Sequence, residues 1–481
     1  MRGFAADCLD AATRACASYA DVRITDTSTQ ALSVRNGVVE GIESSSSLGF
    51  GVRVIAGGAW GFAASSDMTR ESAERVARQA VAIARASATV AADPIALSQL
   101  APSTAQWSGT CEIDPFSIGT DDKLALLMAA DAAMRAVPGV SLATGELSFF
   151  RSHKTFASTE GSFIEQDWVE SSAGITAFAI GEGEVMNRSY PNSHGGASFQ
   201  GGWETITALD LAGNAPRIAE QAVALLTAPV CPAAVTTVVL DATQLALQVH
   251  ESVGHPTELD RVLGDEAAFA GTSWVGVGDV GTLRYGSDLV TITADATVPG
   301  SLGSFGYDDE GVPAQRTFLV RDGILTGFLS SRESAAKIGT LSSGAMRADG
   351  WNHIPLVRMT TVSLEPGGAG TFDELIADTD DGIYMETNDS WSIDDKRLNF
   401  QFGCEIAWEI KRGKLGRMLR NPDYTGITPR FWASCDAVCS ESDWHVSGLG
   451  NCGKGEPMQV AHVAHGAAPA RFRDVQVGVG R

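Results

Sequence analysis

Glycine-marked turns govern what this chain can fold into. Asn36-Gly37 and Gly57-Gly58 punctuate the alternating stretches 21–25, 31–42, 49–55 and 58–63. Alternation with a period of two marks strands, and an X-Gly pair inside such a pattern reads as a hairpin turn. With 52 glycines in 481 residues the punctuation runs along the whole chain, which argues for many strands joined by tight turns and against a helical bundle. The length predicts more than one domain. An apolar content of 44 % against 19 % charged residues supplies a sizeable core and excludes global disorder.

Helices alternate with the early strands. Phe4, Cys8, Leu9, Ala12 and Cys16 mark one apolar helix face, which predicts buried thiols at Cys8 and Cys16. Thr69 offers an N-cap with Glu71 in the first turn, and Ala73, Val76, Ala77, Ala80 and Val81 follow at helical spacing. A third helix starts at Thr120, where Asp121 and Asp122 favour its positive end, and stops at Pro138-Gly139. Strands fill 141–180, and Pro216 is read as the start of a fourth helix that Pro229 ends. Beyond residue 228, strand-like runs dominate, at 235–240, 289–293, 316–320, 360–364, 400–410 and 427–433. The expected fold class is α+β: an N-terminal antiparallel sheet with helices over residues 1–228, and a strand-rich, barrel-like C-terminal domain over residues 229–481.

Charge narrows the partners. Acidic residues outnumber basic ones by 58 to 35, a net charge of −23. That balance argues against nucleic acid and anionic membrane, which both require a basic face. Asp7 and Asp10 interrupt any secretory leader, and no run approaches the roughly 18 apolar residues of a membrane helix. A soluble cytoplasmic protein is the expectation. Eight cysteines in a chain this long do not form a small-domain disulfide framework. Cys111, Cys231 and Cys404 have no partner at motif spacing, and Cys435 and Cys439 read as structural thiols.

Two motif matches fail their context. Gly276 to Gly281 satisfies G-x-G-x-x-G, but a strand-like segment follows where a dinucleotide site needs a helix. Gly448 to Lys454 resembles a P-loop, but Gly455 stands where Ser or Thr would bind magnesium.

The segment from Asp241 to His255 carries chemistry. Asp241 can cap a helix on which Leu245, Leu247 and Val249 are apolar and which ends in His250 and Glu251. Two histidines and a carboxylate close in sequence suit zinc, because neutral imidazoles bind the metal and the carboxylate accepts a proton from water. The spacing is H-E-x-x-x-H. An α-helix turns about 100° per residue, so an i, i+5 pair diverges by roughly 140°. Gly254 can take the left-handed turn that ends a helix, and Pro256 pushes His255 towards extended geometry. The helix is therefore expected to end near Val253 and swing His255 back, with a π-bulge as the other option. The competing reading is a pair of histidines bonding locally at a helix end. For a third ligand, His153, His194, His353, His445, His462 and His465 are not recommended by spacing. Cys452 lies between glycines in Gly450-Asn451-Cys452-Gly453-Lys454, and Lys454 can lower the thiol pKa. Spacing alone leaves Cys452 open between thiolate ligand and buried free thiol.

These residues resemble the TldD/PmbA (modulator of DNA gyrase) metallopeptidase family over nearly the whole chain. Gly49-Phe-Gly-Val-Arg-Val-Ile with Gly61-Phe-Ala is similar to the family's N-terminal strands. His250-Glu251-Ser-Val-Gly-His255 matches its H-E-x-x-x-H signature, with Glu258 and Asp260 at the acidic positions beyond. Asp308-Asp309-Glu310-Gly311-Val-Pro313, the stretch from Gly323 to Phe328, Arg358-Met-Thr and Gly450-Asn-Cys452-Gly-Lys454 continue the register. The resemblance implies a zinc peptidase with His250, His255 and Cys452 as metal ligands and Glu251 as catalytic carboxylate. It implies a homodimer, or a heterodimer with a PmbA/TldE-like subunit, that encloses the site and cleaves unfolded peptides. Pro256 and the tail with His462 and His465 depart from the family pattern. Glu258 and Asp260 are candidates to orient the histidines, and Asp308, Asp309 and Glu310 are expected to be structural. The alternative function is a peptide-binding or chaperone-like subunit with a structural zinc.

Overall fold

The computed structural model describes residues 1–181, 183–269 and 271–478. The hairpin turns at Asn36-Gly37 and Gly57-Gly58 form as the sequence indicates, between β1 (Tyr19–Arg35), β2 (Val38–Ala56) and β3 (Ala59–Ser65). These strands are far longer than the stretches that marked them, and the serine run 44–47 lies inside β2. With β4 (Thr104–Ser108), β5 (Val140–Ser158), β6 (Phe163–Gly181), β7 (Glu184–Tyr190) and β8 (Ala197–Gln200) they make one eight-stranded sheet, antiparallel apart from the β4–β6 pair. Helices α1 (Arg2–Arg14) and α2 (Arg70–Ala88) bury an alanine-rich core at one end of the sheet. Helices α3 (Thr120–Arg135), α4 (Trp203–Thr207) and α5 (Leu211–Leu225) bury a second core at the other end. Gly61 is needed where α2 crosses the sheet, because a Cβ there would stand 2.0 Å from the Ala80 carbonyl oxygen.

The second part of the chain is strand-rich. Its elements are β9 (Ala234–Leu240), β10 (Ile292–Asp295), β11 (Arg316–Arg321), β12 (Ile324–Leu325), β13 (Met346–Arg347), β14 (Leu356–Val357), β15 (Thr361–Leu364), β16 (Asp381–Ile393), β17 (Asn399–Lys411), β18 (Leu415–Leu419), β19 (Asp423–Ile427), β20 (Cys435–Val438), β21 (His445–Lys454), β22 (Gln459–Ala467) and β23 (Ala470–Val477). Five strands close on themselves in the order β16-β9-β23-β19-β17, since β17 also pairs with β16. This is the barrel-like unit expected from the sequence. Beside it runs a six-stranded sheet in the order β12-β11-β10-β15-β22-β21, which leaves β21 at an edge.

Three local expectations are corrected. Helix α1 stops at Arg14, and Cys16 turns out at φ 69° into solvent, because the chain takes a left-handed step after the helix end. Helix α5 begins at Leu211, five residues before Pro216, because the Asp210 carboxylate caps it by accepting from Gly213 N at 3.2 Å. Residues 428–433 form a short helix and not a strand. Thr428-Pro429 is the signal, with proline at the start of the helix, and the strand propensity of Phe431 and Trp432 masks it.

The D-D-E-G-V-P turn joins the two parts through buried charge. Arg53 on β2 donates to Asp21 on β1 at 2.7 and 2.9 Å and to Glu310 at 3.1 Å. Asp309 accepts from Lys154 of β5 at 2.5 Å and lies 3.7 Å from Arg23 of β1. Asp308 accepts the backbone N–H groups of Glu310, Val312 and Met346 and so shapes the turn itself. All three acids are buried. Removing Arg53 strands two carboxylates away from water. Arg53→Ala is expected to cost about 3–5 kcal/mol of unfolding free energy, read from denaturant titration; a loss below about 1 kcal/mol would show that the network does not hold the halves together.

Candidate metal centre

Helix α6 (Ala242–Val249) starts where Asp241 accepts from Thr243 N at 2.9 Å and Gln244 N at 3.0 Å. Every residue from Gln244 to Val249 is buried, so the helix has no wet face. Its polar side chains form a chain of bonds into the barrel. Gln244 donates to the Tyr424 hydroxyl at 2.9 Å, which donates to Gln248 at 2.8 Å, and Gln248 donates to the Ser252 hydroxyl at 2.9 Å. Trp432 donates to the same Ser252 oxygen at 2.9 Å.

After Val249 the helix does not end. Residues His250–Gly254 wind as one π turn, closed by the His255 N–H donating to the His250 carbonyl. An i→i+5 bond brings residue i+5 back over residue i, so the five-residue spacing does on a π turn what four-residue spacing does on an α-helix. The expected left-handed glycine is corrected: Gly254 has φ −56° and ψ −63°. Its role is close approach, since a Cβ there would lie 2.2 Å from Met359 Sδ. His255 is also helical, at φ −61° and ψ −45°, despite the proline after it. Pro256 has no N–H to offer the Ser252 carbonyl, and the Tyr285 hydroxyl donates to that carbonyl instead.

The turn brings the ligand atoms together. One donor atom each from His250, His255 and Cys452 lie within 4.8 Å of one another, and all three residues are buried. Cys452 Sγ stands 3.9 Å from His255 Nε2. The imidazole rings of His250 and His255 are 4.7 Å apart at 85°. Cys452 reaches the site from β21, just past a bulge that follows Leu449.

Hydrogen bonds fix which ring nitrogens are free. His255 Nδ1 is 2.9 Å from the Glu258 carboxylate, which accepts, so the proton belongs on Nδ1 and the Nε2 lone pair faces Cys452. His250 Nδ1 is 2.8 Å from His465 Nε2, and His465 Nδ1 is 2.9 Å from the Val362 carbonyl. A carbonyl only accepts, so His465 donates from Nδ1, accepts on Nε2 and leaves His250 Nε2 unprotonated. Burial holds all three imidazoles below their ordinary pKa, His255 and His465 well below, which keeps them neutral. Burial pushes the Cys452 thiol up, and the charge of the Arg358 guanidinium pulls it back down. Arg358 is buried, donates to the Gln459 and Cys452 carbonyls and has no carboxylate partner among the described residues. Two free imidazole lone pairs and a thiol beside a guanidinium that favours its thiolate form fit a borderline-soft divalent metal ion.

The other acids sort themselves. Glu251 is buried beside the ligands, and its Oε2 is bound by Arg397 of the β16–β17 connection. Glu258 orients His255, whereas Asp260 touches no histidine and grips Lys454 Nζ at 2.8 and 2.9 Å. Lys454 is thereby occupied, and Arg358 takes the role on the thiol that the sequence suggested for it. His465 and Arg397 were not legible as site residues. His465 is brought in by the β21–β22 register, in which Cys452 pairs with Ala461, and no linear spacing encodes that.

Residues 233–478 match the PmbA/TldA metallopeptidase C-terminal domain, with domain 1 matched at 20–84 and the central domain at 113–228. The chain belongs to the PmbA/TldD metallopeptidase family. A metalloprotease of Methanothermobacter thermautotrophicus is 30 % identical over 460 residues, 96 % of this chain and 95 % of that one. Metalloprotease MJ0996 of Methanocaldococcus jannaschii is 29 % identical over 440 residues, 92 % and 94 % of the two chains. Among solved structures, TldE from Thermococcus kodakarensis shares the fold with a TM-score of 0.76 at 15 % identity, over 99 % of this chain and all of that one. These relatives identify a metalloprotease of the TldD/PmbA type. No helix among the described residues is long and apolar enough to cross a membrane.

Two measurements test the centre. His465→Ala removes the acceptor that fixes the His250 tautomer and is expected to weaken metal affinity by about 10–100-fold, measured by chelator competition; unchanged affinity would remove His465 from the centre. In the metal-free protein His250, His255 and His465 stay neutral when folded but take protons near pH ~6.5 when unfolded. Stability is therefore lost as pH falls below that value, by at most about 4 kcal/mol per pH unit if all three contribute. Denaturant midpoints of chelated protein between pH 7.5 and 5.5 follow this, and a flat profile would contradict it.

Proposed function

We propose that the protein is a zinc-dependent peptidase that cleaves unfolded peptides, with Glu251 as general base. The observation that carries this reading is the convergence of the His250, His255 and Cys452 ligand atoms beside a buried carboxylate. A set of three protein donors favours a catalytic site over a closed structural one, which takes four. The His2Cys composition favours zinc. A zinc metalloprotease TldD homolog of Saccharolobus solfataricus, 24 % identical over 242 residues, supports that choice.

In this reading His250 and His255 hold the ion through Nε2 and Cys452 through Sγ. When bound, zinc supplies Lewis acidity for the scissile carbonyl and for water. Glu251 takes a proton from the attacking water on Oε1, the oxygen that Arg397 leaves free, and passes it to the leaving amine. Glu258 and His465 keep the two imidazoles turned to the ion. The edge of β21 receives the substrate. Its first part is covered near Gly448 by Ser198 of β8, while Gly450, Asn451 and Gly453 beside Cys452 are exposed. An extended peptide that pairs with this edge is read through its main chain, which admits many sequences but only unfolded ones. The fold shared with a TldE supports assembly with a TldE/PmbA-like subunit or a second copy that encloses the site. Buried free thiols suit the cytoplasm.

Glu251→Gln is expected to keep stoichiometric zinc and lower hydrolysis of unfolded casein by about 10²–10⁴-fold. Peptide release at the wild-type rate from the zinc-loaded variant would end this reading and favour a peptide-binding subunit with a structural ion.

A further inference from the structure

Arg397 stands in the turn between β16 and β17, 146 residues from Glu251. Among the described residues it is the partner of the Glu251 carboxylate. The loop that presents it is tightly built. Arg397 itself takes φ 63°, a left-handed conformation that a long side chain rarely adopts. The Asp394 carboxylate accepts from Leu398 N at 2.8 Å and Asn399 N at 3.1 Å, and the Asp394 carbonyl accepts from Arg397 N at 2.8 Å. The Thr428 hydroxyl donates to the Arg397 carbonyl at 2.9 Å, and Trp274 N donates to the Lys396 carbonyl at 3.0 Å. Strained backbone held by this many bonds is a feature retained for what it positions. Arg397 Nε is buried with no partner, so the guanidinium is not there to satisfy a structural bonding scheme.

We propose that Arg397 is a positioning residue for peptide cleavage: through its contact with Oε2 it holds Glu251 in one rotamer with Oε1 turned to the attacking water. The inference rests on the reading of Glu251 as base. A free glutamate side chain samples several rotamers, and a proton acceptor displaced by about 1 Å can lose about 10²-fold in rate. The polar side chains of its own helix are bound elsewhere, Thr243 to Asp241, Gln244 and Gln248 to the Tyr424 hydroxyl, His250 to His465 and Ser252 to Gln248 and Trp432, so none of them holds the carboxylate. The arm has to come from another strand pair, and Arg397 is that arm.

The test uses the zinc-loaded full-length protein and unfolded casein. Arg397→Asn suits the left-handed backbone and is too short to reach Glu251. It is expected to lower kcat about 10²-fold with KM and zinc content unchanged. The Arg397 side chain is 18 % exposed, so added guanidinium ion can enter the vacated place. Guanidinium at non-denaturing concentration is expected to restore at least a tenth of the lost rate in the variant, in a saturable way, and to leave the wild type unaffected. Arg397→Lys, which keeps the charge, is expected to fall between the two. A kcat within threefold of wild type, or a loss that follows zinc release or unfolding and is not restored by guanidinium, overturns the proposal. The parallel Glu251→Gln variant separates the two failures: if it stays active the base assignment is wrong, and if it is inactive while Arg397→Asn is normal only the role of Arg397 falls.

Discussion

One hydrogen bond, from the His255 N–H to the His250 carbonyl, is the constraint on which the convergence of His250, His255 and Cys452 depends. It makes a five-residue spacing close on itself. Everything nearby serves to keep that wide turn from relaxing to an α-helix. Ser252, in its middle, is held through its hydroxyl by Gln248 and Trp432 and through its carbonyl by Tyr285. Gly254 lets Met359 pack where any side chain would collide. Pro256 forbids the bond that would continue a regular helix, and the Tyr285 hydroxyl satisfies the carbonyl left behind. The turn is thus over-determined by packing, by polar contacts and by a missing donor.

What the sequence disclosed and what it withheld divide along the range of the interactions. Turns set by adjacent residues, such as Asn36-Gly37, and caps set by neighbours three apart, such as Thr69 with Ser72, were readable because their physics is local. The α+β class and the barrel-like second part followed from alternation and glycine turns. Errors arose where two local signals competed. Asp210 outweighed Pro216 as a helix start, and Thr428-Pro429 outweighed the aromatic pair after it. At the candidate metal centre the H-E-x-x-x-H motif is visible in the sequence, and the wide turn is the second of the two backbone options it offers. Of the accessory residues, Glu258 is legible from its place beside the motif and the others are not. His465 depends on strand register, Arg358 on a buried carbonyl 94 residues away, and Arg397 on a hairpin whose turn faces a helix end. No spacing rule can anticipate such contacts.

Buried charge joins the two parts of the chain. Arg53, Asp21 and Glu310 on one side, and Lys154, Arg23 and Asp309 on the other, place the D-D-E-G-V-P turn against β1, β2 and β5. Buried ion pairs add little net stability but punish misplacement heavily. They therefore specify a docking geometry. The same turn runs on through Met346, whose N–H Asp308 accepts, to the β13–β14 hairpin and Arg358. The orientation of the sheet and the cation beside Cys452 thus share one connected scaffold.

The wide turn also dictates how this motif can vary in length. Shortening it by one residue would yield the spacing that a regular helix prefers, yet it would not yield a working shorter motif. Ser252 and everything beyond it would rotate by about 100° relative to their barrel partners, so the second imidazole and the indole-anchored serine could not both be seated. A lineage carrying this scaffold is held to five-residue spacing by the walls around the turn. A conversion between the two spacings would demand simultaneous rebuilding of Tyr285, Trp432 and Met359.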